Sequence, residues 1–305
     1  MTDAVTFRAP RNQWWDVWDQ FKTHRGALIG MVVFVLIVLF CFVGPLIWRV
    51  DPTAIPSGRE LLRLRNQGFS LAHPFGTDNL GRDMFARMMK GGQVSLAVGI
   101  VGMILSILLG TLIGVVAGYF RRADGVLMRL TDLFLALPLL PILLVMSMLF
   151  RERLSALFGV EVGMFLMIVT AIALTSWMRT ARVVRGDVLA LKEREYVLAA
   201  RSIGTPPRRL IVRHILPNVL SPVMVSATLM IATAIITESA LSFLGMGFPP
   251  DFPTWGRLVA DGVDYLQDYP SRSMVPGILI SLTVLSVNYI GDGLRDALDP
   301  RIRGR

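Results

Sequence analysis

Six stretches of the chain stay apolar long enough to leave water. Residues 26–48 give 23 positions without a charge, and 94–120 give 27. Stretches 133–150, 162–178 and 274–291 are shorter but also uncharged, while 219–248 is long and holds one carboxylate, Glu238. About 20 apolar residues in helix cross a bilayer's hydrocarbon core. Lipid offers no partner to open backbone, so each stretch predicts a helix. The pattern predicts an all-α membrane protein with six transmembrane helices. Pro138 and Pro141 sit inside the third stretch and predict a kink there.

The polar intervals divide the chain into a segment 1–25, a first span 26–48, a segment 49–93, a core 94–291 that includes the loop 179–217, and a tail 292–305. A polar leader of 25 residues with Asp3, Asp16 and Asp19, followed by a 23-residue apolar run, is too long for a secretory signal, so the run is expected to remain as a span. Ahead of it, NQWWDVWDQF puts Trp14, Trp18 and Phe21 near one helical face. That predicts an interfacial helix lying on membrane lipid. Gly110, Gly114 and Gly118 recur every four residues along the second span. Such a ridge lets two helices approach closely, within the chain or across a subunit interface.

Composition agrees with the bilayer: 53% hydrophobic and 17% charged, where soluble domains carry about 25% charge. Net charge is +9, and the charges fall between the apolar runs, which fits lipid headgroups and excludes nucleic acid as the expected partner. With six spans both termini share a side. The intervals on that side hold 20 Lys and Arg against 11 on the other, so the termini and the 179–217 loop are expected in the cytoplasm. The lone Cys41 excludes an intrachain disulfide and a cysteine metal cluster, and His24, His73 and His214 form no ligand spacing.

The loop EYVLAARSIGTPPRRLIVRHILPN (195–218) is more ordered than a connector requires. Good helix formers lead to Gly204, a C′ stop. Thr205 then reads as an N-cap and Pro206 as the first helical residue, opening a short helix to about His214. The result is a helix, a hard turn and a helix. Ala199, Ala200 and Gly204 offer a small-residue face that can press into a groove, ringed by arginines suited to an acidic rim.

These residues resemble the cytoplasmic loop of binding-protein-dependent ABC importer permeases, whose pattern is Glu-Ala-Ala, three residues, Gly, nine residues, then Ile-x-Leu-Pro. Ala199, Ala200, Gly204, Leu216 and Pro217 match at that spacing; Leu198 replaces the Glu and His214 the first Ile. HPFGTDNLGRDMFARMMKGGQVSL (73–96), ESALSFLGMGFPP (238–250) and GDGLRDALDPRIRGR (291–305) are similar to the second permease of dipeptide and oligopeptide importers. The likeness runs from about residue 15 to the end. It implies the ABC importer permease fold in the bacterial inner membrane, with peptides as cargo. Nickel, sugars or opines are other cargo of the same permease type. The implied partners are a second permease as a heterodimer, two cytoplasmic ATPase subunits or domains, and an extracytoplasmic substrate-binding protein. The loop would be the coupling helix, so Tyr196, Ala199, Ala200, Arg201, Gly204, His214, Leu216 and Pro217 are the candidate docking residues.

The stretch 73–83 is rich in turn formers and carries Gly76, Asp78, Arg82 and Asp83. It faces outward by the charge rule, either touching the delivering protein or capping its own bundle. Glu238 is an intramembrane carboxylate, but about 30 Å of helix separates it from Asn218. That places it near the outer interface, where a structural carboxylate bonded to neighbouring backbone is favoured over a gate or transport ligand. The following SFLGMGFPPDFPTW is expected to break the helix and re-enter as a loop. Asp292, Arg295, Asp296 and Asp299 are expected to cap the last span and pair with loop arginines. No G-x-x-x-x-G-K-[ST] exists and no lysine follows a glycine, so no phosphate loop can be drawn and the chain is not itself expected to be an enzyme. ATP and magnesium belong on the partner. No zinc motif or nucleophile elbow is present either. An ion-coupled transporter would place ionisable groups or broken helices at the midplane in paired repeats, which are not evident, and a scaffold has no need of the coupling pattern.

Overall fold

The computed structural model of the chain describes residues 13–298. Among these residues the fold is entirely helical, apart from an isolated bridge between Thr77 and Asp83. In order the helices are α1 Gln13–Phe21, α2 Arg25–Phe42, α3 Gly44–Ile47, α4 Arg59–Leu64, α5 Met84–Tyr119, α6 Arg121–Ala136, α7 Leu139–Phe158, α8 Val160–Leu191, α9 Glu195–Ser202, α10 Pro207–Leu210, α11 Leu216–Phe243, α12 Trp255–Val263 and α13 Ser271–Leu298. A π-helical turn, Ile211–Ile215, fuses α10 to α11. Five helical stretches are long and apolar enough to cross a membrane, and a sixth span results if α6 and α7 count as one broken pair.

That pair corrects the third apolar stretch. The chain turns by 91° between α6 and α7, so 133–150 is no continuous helix. Leu137, which precedes a proline, is driven out of the helical region to ψ 137°. Pro138 then caps α7, and Pro141 falls in its first turn, where a missing N–H is tolerated. The second span is longer than its apolar run. α5 begins at Met84, ten residues before 94, and takes in Arg87 and Lys90. The last helix likewise runs through Asp292, Arg295 and Asp296 to Leu298. Asp296 faces His24 at 3.8 Å rather than a loop arginine, and Asp299 lies outside the described residues.

The glycine ridge settles on a contact inside the chain. Gly110 lies against Thr180 and the Trp177 carbonyl, Gly114 against Ala181 and Val184, and Gly118 against Val188. Numbers rise together on both helices, so α5 and α8 run parallel. A side chain at Gly114 would lie 2.6 Å from the Ala181 carbonyl oxygen, so only glycine permits this approach. α11 runs antiparallel to α5, with Ile235 over Gly99. α13 returns antiparallel to α2, with Gly293 against Ala27 and Gly30 against Ser286. In α1, Val17 and Phe21 are buried against Ala27 and Ala297, so Phe21 turns inward instead of sharing an outer face with Trp18. Trp18 stacks on it at 5.8 Å and stays 41% exposed; the side chain of Trp14 lies outside the description.

The bundle therefore has two distinct ends. One carries residues 66–83, the start of α5 and α12. The other carries the ends of α5 and α8 and the 192–215 elbow. The 36 residues of α5 separate them by about 54 Å.

Candidate functional site

The elbow starts where Lys192 Nζ donates to the Gly118 carbonyl at 3.2 Å, tying it to the end of α5. Arg194 is extended and opens α9, with Glu195 in the first turn favourable to the helix dipole. Val197 is the residue α9 buries. At its far end Gly204 takes φ +82°, with Gly204 N–H donating to the Arg201 carbonyl at 3.0 Å and Thr205 N–H to the Ala200 carbonyl at 3.2 Å. This is a Schellman stop, which a glycine without Cβ strain enables.

The second arm starts one residue later than expected. Pro206, not Thr205, is the N-cap, and Pro207 opens α10. The reason is steric: Pro206 precedes a proline, which pushes it to ψ 150° and bars it from helix. Nor does this arm stop at His214. It passes through the π-turn into α11, where Leu216 is the first residue and Pro217 follows. Asn218 Nδ2 reaches back to the His214 carbonyl at 2.6 Å. Leu210 and Ile215 are buried, and the Tyr196 and His214 rings meet across the two arms at 6.2 Å.

What remains is a surface. Ala199, Arg201 and Gly204 are exposed, Pro217 is exposed, and Ala200, His214 and Leu216 are half-buried. Tyr196 and Leu198 are also exposed, and Ile203 stands 84% in the open at the tip. Arg208, Arg209 and Arg213 line a shallow concavity beside it with Pro206 and Pro217. Among the described residues no carboxylate pairs with Arg201, Arg208, Arg209 or Arg213. Ile203 went unremarked in the sequence because it sits in the three-residue spacer of the motif. The signal available was an isoleucine immediately before a C′ glycine.

At the opposite end the predicted contact residues are internal. Asp78 Oδ1 accepts from the Leu80 and Arg82 N–H groups at 2.9 Å, and Oδ2 accepts from Arg82 Nε at 2.7 Å and from Arg87. Asp83 caps α5 through Ala86 N–H at 2.7 Å and holds His73 Nδ1 at 2.6 Å. Gly76 has φ +71° in the turn between them. Arg87, 1% exposed, reaches Asp261 at 3.6 Å, which also meets Arg257 at 2.9 Å. Burial pushes the Asp261 carboxyl above its ordinary range, and Arg257, Arg87 and Arg82 pull against that shift. Arg272 donates to Asn66 Oδ1 at 2.6 Å and to the Thr77 carbonyl at 2.8 Å, stacked over Tyr265 and Tyr269. Asp78, Arg82 and Asp83 are all buried, and their side chains bond within their own chain.

Glu238 is wholly buried. Its partners are hydroxyls and not backbone: Ser95 Oγ donates at 3.0 Å and Ser242 Oγ at 2.7 Å. Ser95 also accepts the Trp255 N–H at 3.2 Å, and Trp255 Nε1 donates to the Met88 carbonyl at 3.0 Å. The carboxylate thus links α5 and α11 directly, and Ser95 carries the link on to the start of α12. Ser242 lay within reach of sequence reasoning, four residues on along the helix. Ser95 and Arg272 did not, since their partners lie far off in the chain.

The family described as "Binding-protein-dependent transport system inner membrane component" matches residues 106–304, and the "N-terminal TM domain of oligopeptide transport permease C" matches 12–67. The chain belongs to the binding-protein-dependent permease family. A putative peptide transport system permease protein of Brucella abortus is 42% identical to it over 280 residues, covering 92% of this chain and 89% of that one. The oligopeptide transport system permease protein OppC of Bacillus subtilis is 38% identical over 292 residues, 95% and 90% of the two chains. A chain of the inward-facing MetNI methionine ABC transporter superposes with a TM-score of 0.56 at 17% identity, over 71% of this permease and 98% of that chain. At that identity the likeness concerns the fold. The protein is thus a multi-span inner-membrane permease subunit of an ABC importer. In such a system a separate subunit is the ATPase and a binding protein delivers the cargo.

Proposed function

We propose that this permease carries peptides inward together with a second, similar permease chain, and that its 195–217 elbow is the dock for a cytoplasmic ATPase. The observation that carries the reading is the elbow itself. It is an exposed, unpaired, arginine-ringed surface with an apolar tip, fixed at one end to α8 and fused at the other to α11. Ligand-induced closure of an ATPase pair displaces whatever is docked on it. Here the displaced element continues without a break into a membrane-spanning helix, so the bundle swings between inward-open and outward-open forms. Peptide cargo is supported by the peptide and oligopeptide transport permeases to which the chain is similar. The termini lie on the cytoplasmic side in this reading: α2 starts and α13 ends at the elbow's end of the bundle, the end with the larger share of Lys and Arg. The chain contributes no nucleotide chemistry, so ATP and magnesium act on the partner.

The test is purification of the chain from native membranes in mild detergent, with every copurifying protein identified, repeated on Gly204→Glu. A side chain at Gly204 meets nothing of this chain within 4 Å, so the variant is expected to insert normally, lose the ATPase and lose import. An ATPase retained by the variant at wild-type level, with wild-type import, overturns the docking role.

A further inference from the structure

A cavity of about 380 Å³ lies between the α6–α7 bend, α8 and α11, within the size range of small-ligand clefts. Its wall is mostly apolar, with Leu137, Ile142 and Met230 among the lining. The polar exceptions are Arg179 and a set of hydroxyls that includes Thr175, Thr180, Ser226 and Thr233.

Arg179 is the first of three arginines spaced three residues apart on α8. The other two are neutralised by α6: Arg182 meets Asp132 at 2.5 Å, and Arg185 grips Asp124 through two bonds of 2.5 and 2.7 Å. No carboxylate of the described residues pairs with Arg179, which is exposed to the cavity. It sits about 18 Å of helix from Leu191, directly after the uncharged stretch 162–178, where it lines the cavity. The hydroxyls are set as acceptors. Thr175 donates to the Ala171 carbonyl at 2.8 Å, Ser226 to Pro222 at 2.9 Å and Thr233 to Leu229 at 3.0 Å, which commits their protons and leaves oxygen lone pairs to accept. Thr180 Oγ1 is buried with no partner at all. One fixed guanidinium, acceptor lone pairs and an otherwise apolar wall match a short peptide. A terminal carboxylate suits the planar fork of an arginine, backbone N–H groups suit the hydroxyls, and side chains of any kind suit the apolar wall.

We propose that this cavity is a passage subsite of the permease, in which Arg179 receives the free C-terminal carboxylate of a peptide. The inference rests on the peptide reading above and specifies the contact. The guanidinium contacts the carboxylate and no side chain of the peptide, so the subsite discriminates chain ends and not sequences.

Two measurements on the full reconstituted transporter test it. The first uses Thr233→Cys, with Cys41 buried and so out of reach. A sulfonate-bearing methanethiosulfonate and a trimethylammonium-bearing one are compared, each rate divided by its rate with a free thiol. The anionic reagent is expected to react about tenfold faster, as a cation-lined cleft concentrates anions; Arg179→Gln removes the preference and Arg179→Lys keeps it. Equal normalised rates in the parent overturn the proposal whatever the cargo. The second measures import of one peptide as free acid and as C-terminal amide at saturating loaded binding protein. Arg179→Gln is expected to lower free-acid import at least fivefold and leave amide import unchanged, with ATPase copurification intact. Peptide import that responds equally for both forms overturns the proposal while the peptide reading stands, and is the result expected if a lipid phosphate holds Arg179. Absence of any peptide import by the wild type, with the anionic preference present, overturns the peptide reading and the carboxylate assignment together.

Discussion

Arginine does opposite work at the two ends of this permease. At the cap, Arg82, Arg87 and Arg272 are buried, and each is bonded to a carboxylate, an amide oxygen or a carbonyl. At the elbow, Arg201, Arg208, Arg209 and Arg213 stand exposed, with no acid partner among the described residues. The same side chain closes a surface at one end and leaves one open at the other. The difference lies in what surrounds it: the cap supplies Asp78 from the 66–83 segment and Asp261 from α12, while the elbow's acids, Glu193 and Glu195, stay on its near edge. A basic stretch is therefore left open to a partner only where the fold withholds the counter-charges.

The comparison makes cap variants act on stability and elbow variants on partnership. The largest effect is expected from Arg87→Leu, which strips Asp78 and Asp261 of a shared buried partner. Breaking a buried pair costs about 3–5 kcal/mol, seen as a lower unfolding midpoint in detergent and a reduced inserted yield. Ser242→Ala removes one donor from the buried Glu238 and is expected to cost about 1–3 kcal/mol by the same assay, with ATPase copurification unchanged. Loss of the ATPase without loss of stability would contradict a purely structural Glu238. Gly204→Ala isolates backbone strain from bulk and charge. A non-glycine residue at this positive φ costs about 1–2 kcal/mol, so the alanine variant is expected to retain part of its ATPase where Gly204→Glu retains none. Ile203→Asp is expected to change stability by less than about 0.5 kcal/mol, yet to reduce copurified ATPase severalfold. A stability loss there as large as that of Arg87→Leu would erase the distinction between the two ends.

The apolar runs revealed the spans because bilayer thickness sets a length that sequence displays directly. The turn at Gly204 was legible for a similar reason, since a C′ glycine is a local requirement. Errors arose where one local rule overrode another or where distant residues met. Two adjacent prolines shifted the cap from Thr205 to Pro206, and Leu137 ahead of Pro138 turned a kink into a right angle. Met84 to Gln93 looked like part of a polar segment because Arg87 and Lys90 interrupt the apolar run; nothing nearby announces that Asp78 and Asp261 neutralise Arg87. The cap residues were found by sequence, but their burial depends on contacts from α12 and α13, which no spacing encodes.

The junction between elbow and span has a mechanical consequence. Missing or loosened ladder bonds crowd into residues 211–222: the π-turn Ile211–Ile215, then Pro217 and Pro222 without N–H groups. The 28 residues of α11 extend about 42 Å from there. Compliance is thus concentrated at one place, like the thinned web of a flexure, and the rest of the helix is the arm. A bend of about 10° at the web carries the far end through about 7 Å. That end holds Glu238, bonded to Ser95 of α5 at 3.0 Å, so a stroke of that size either drags α5 along or snaps the bond, and the carboxylate sets how far the arm swings alone.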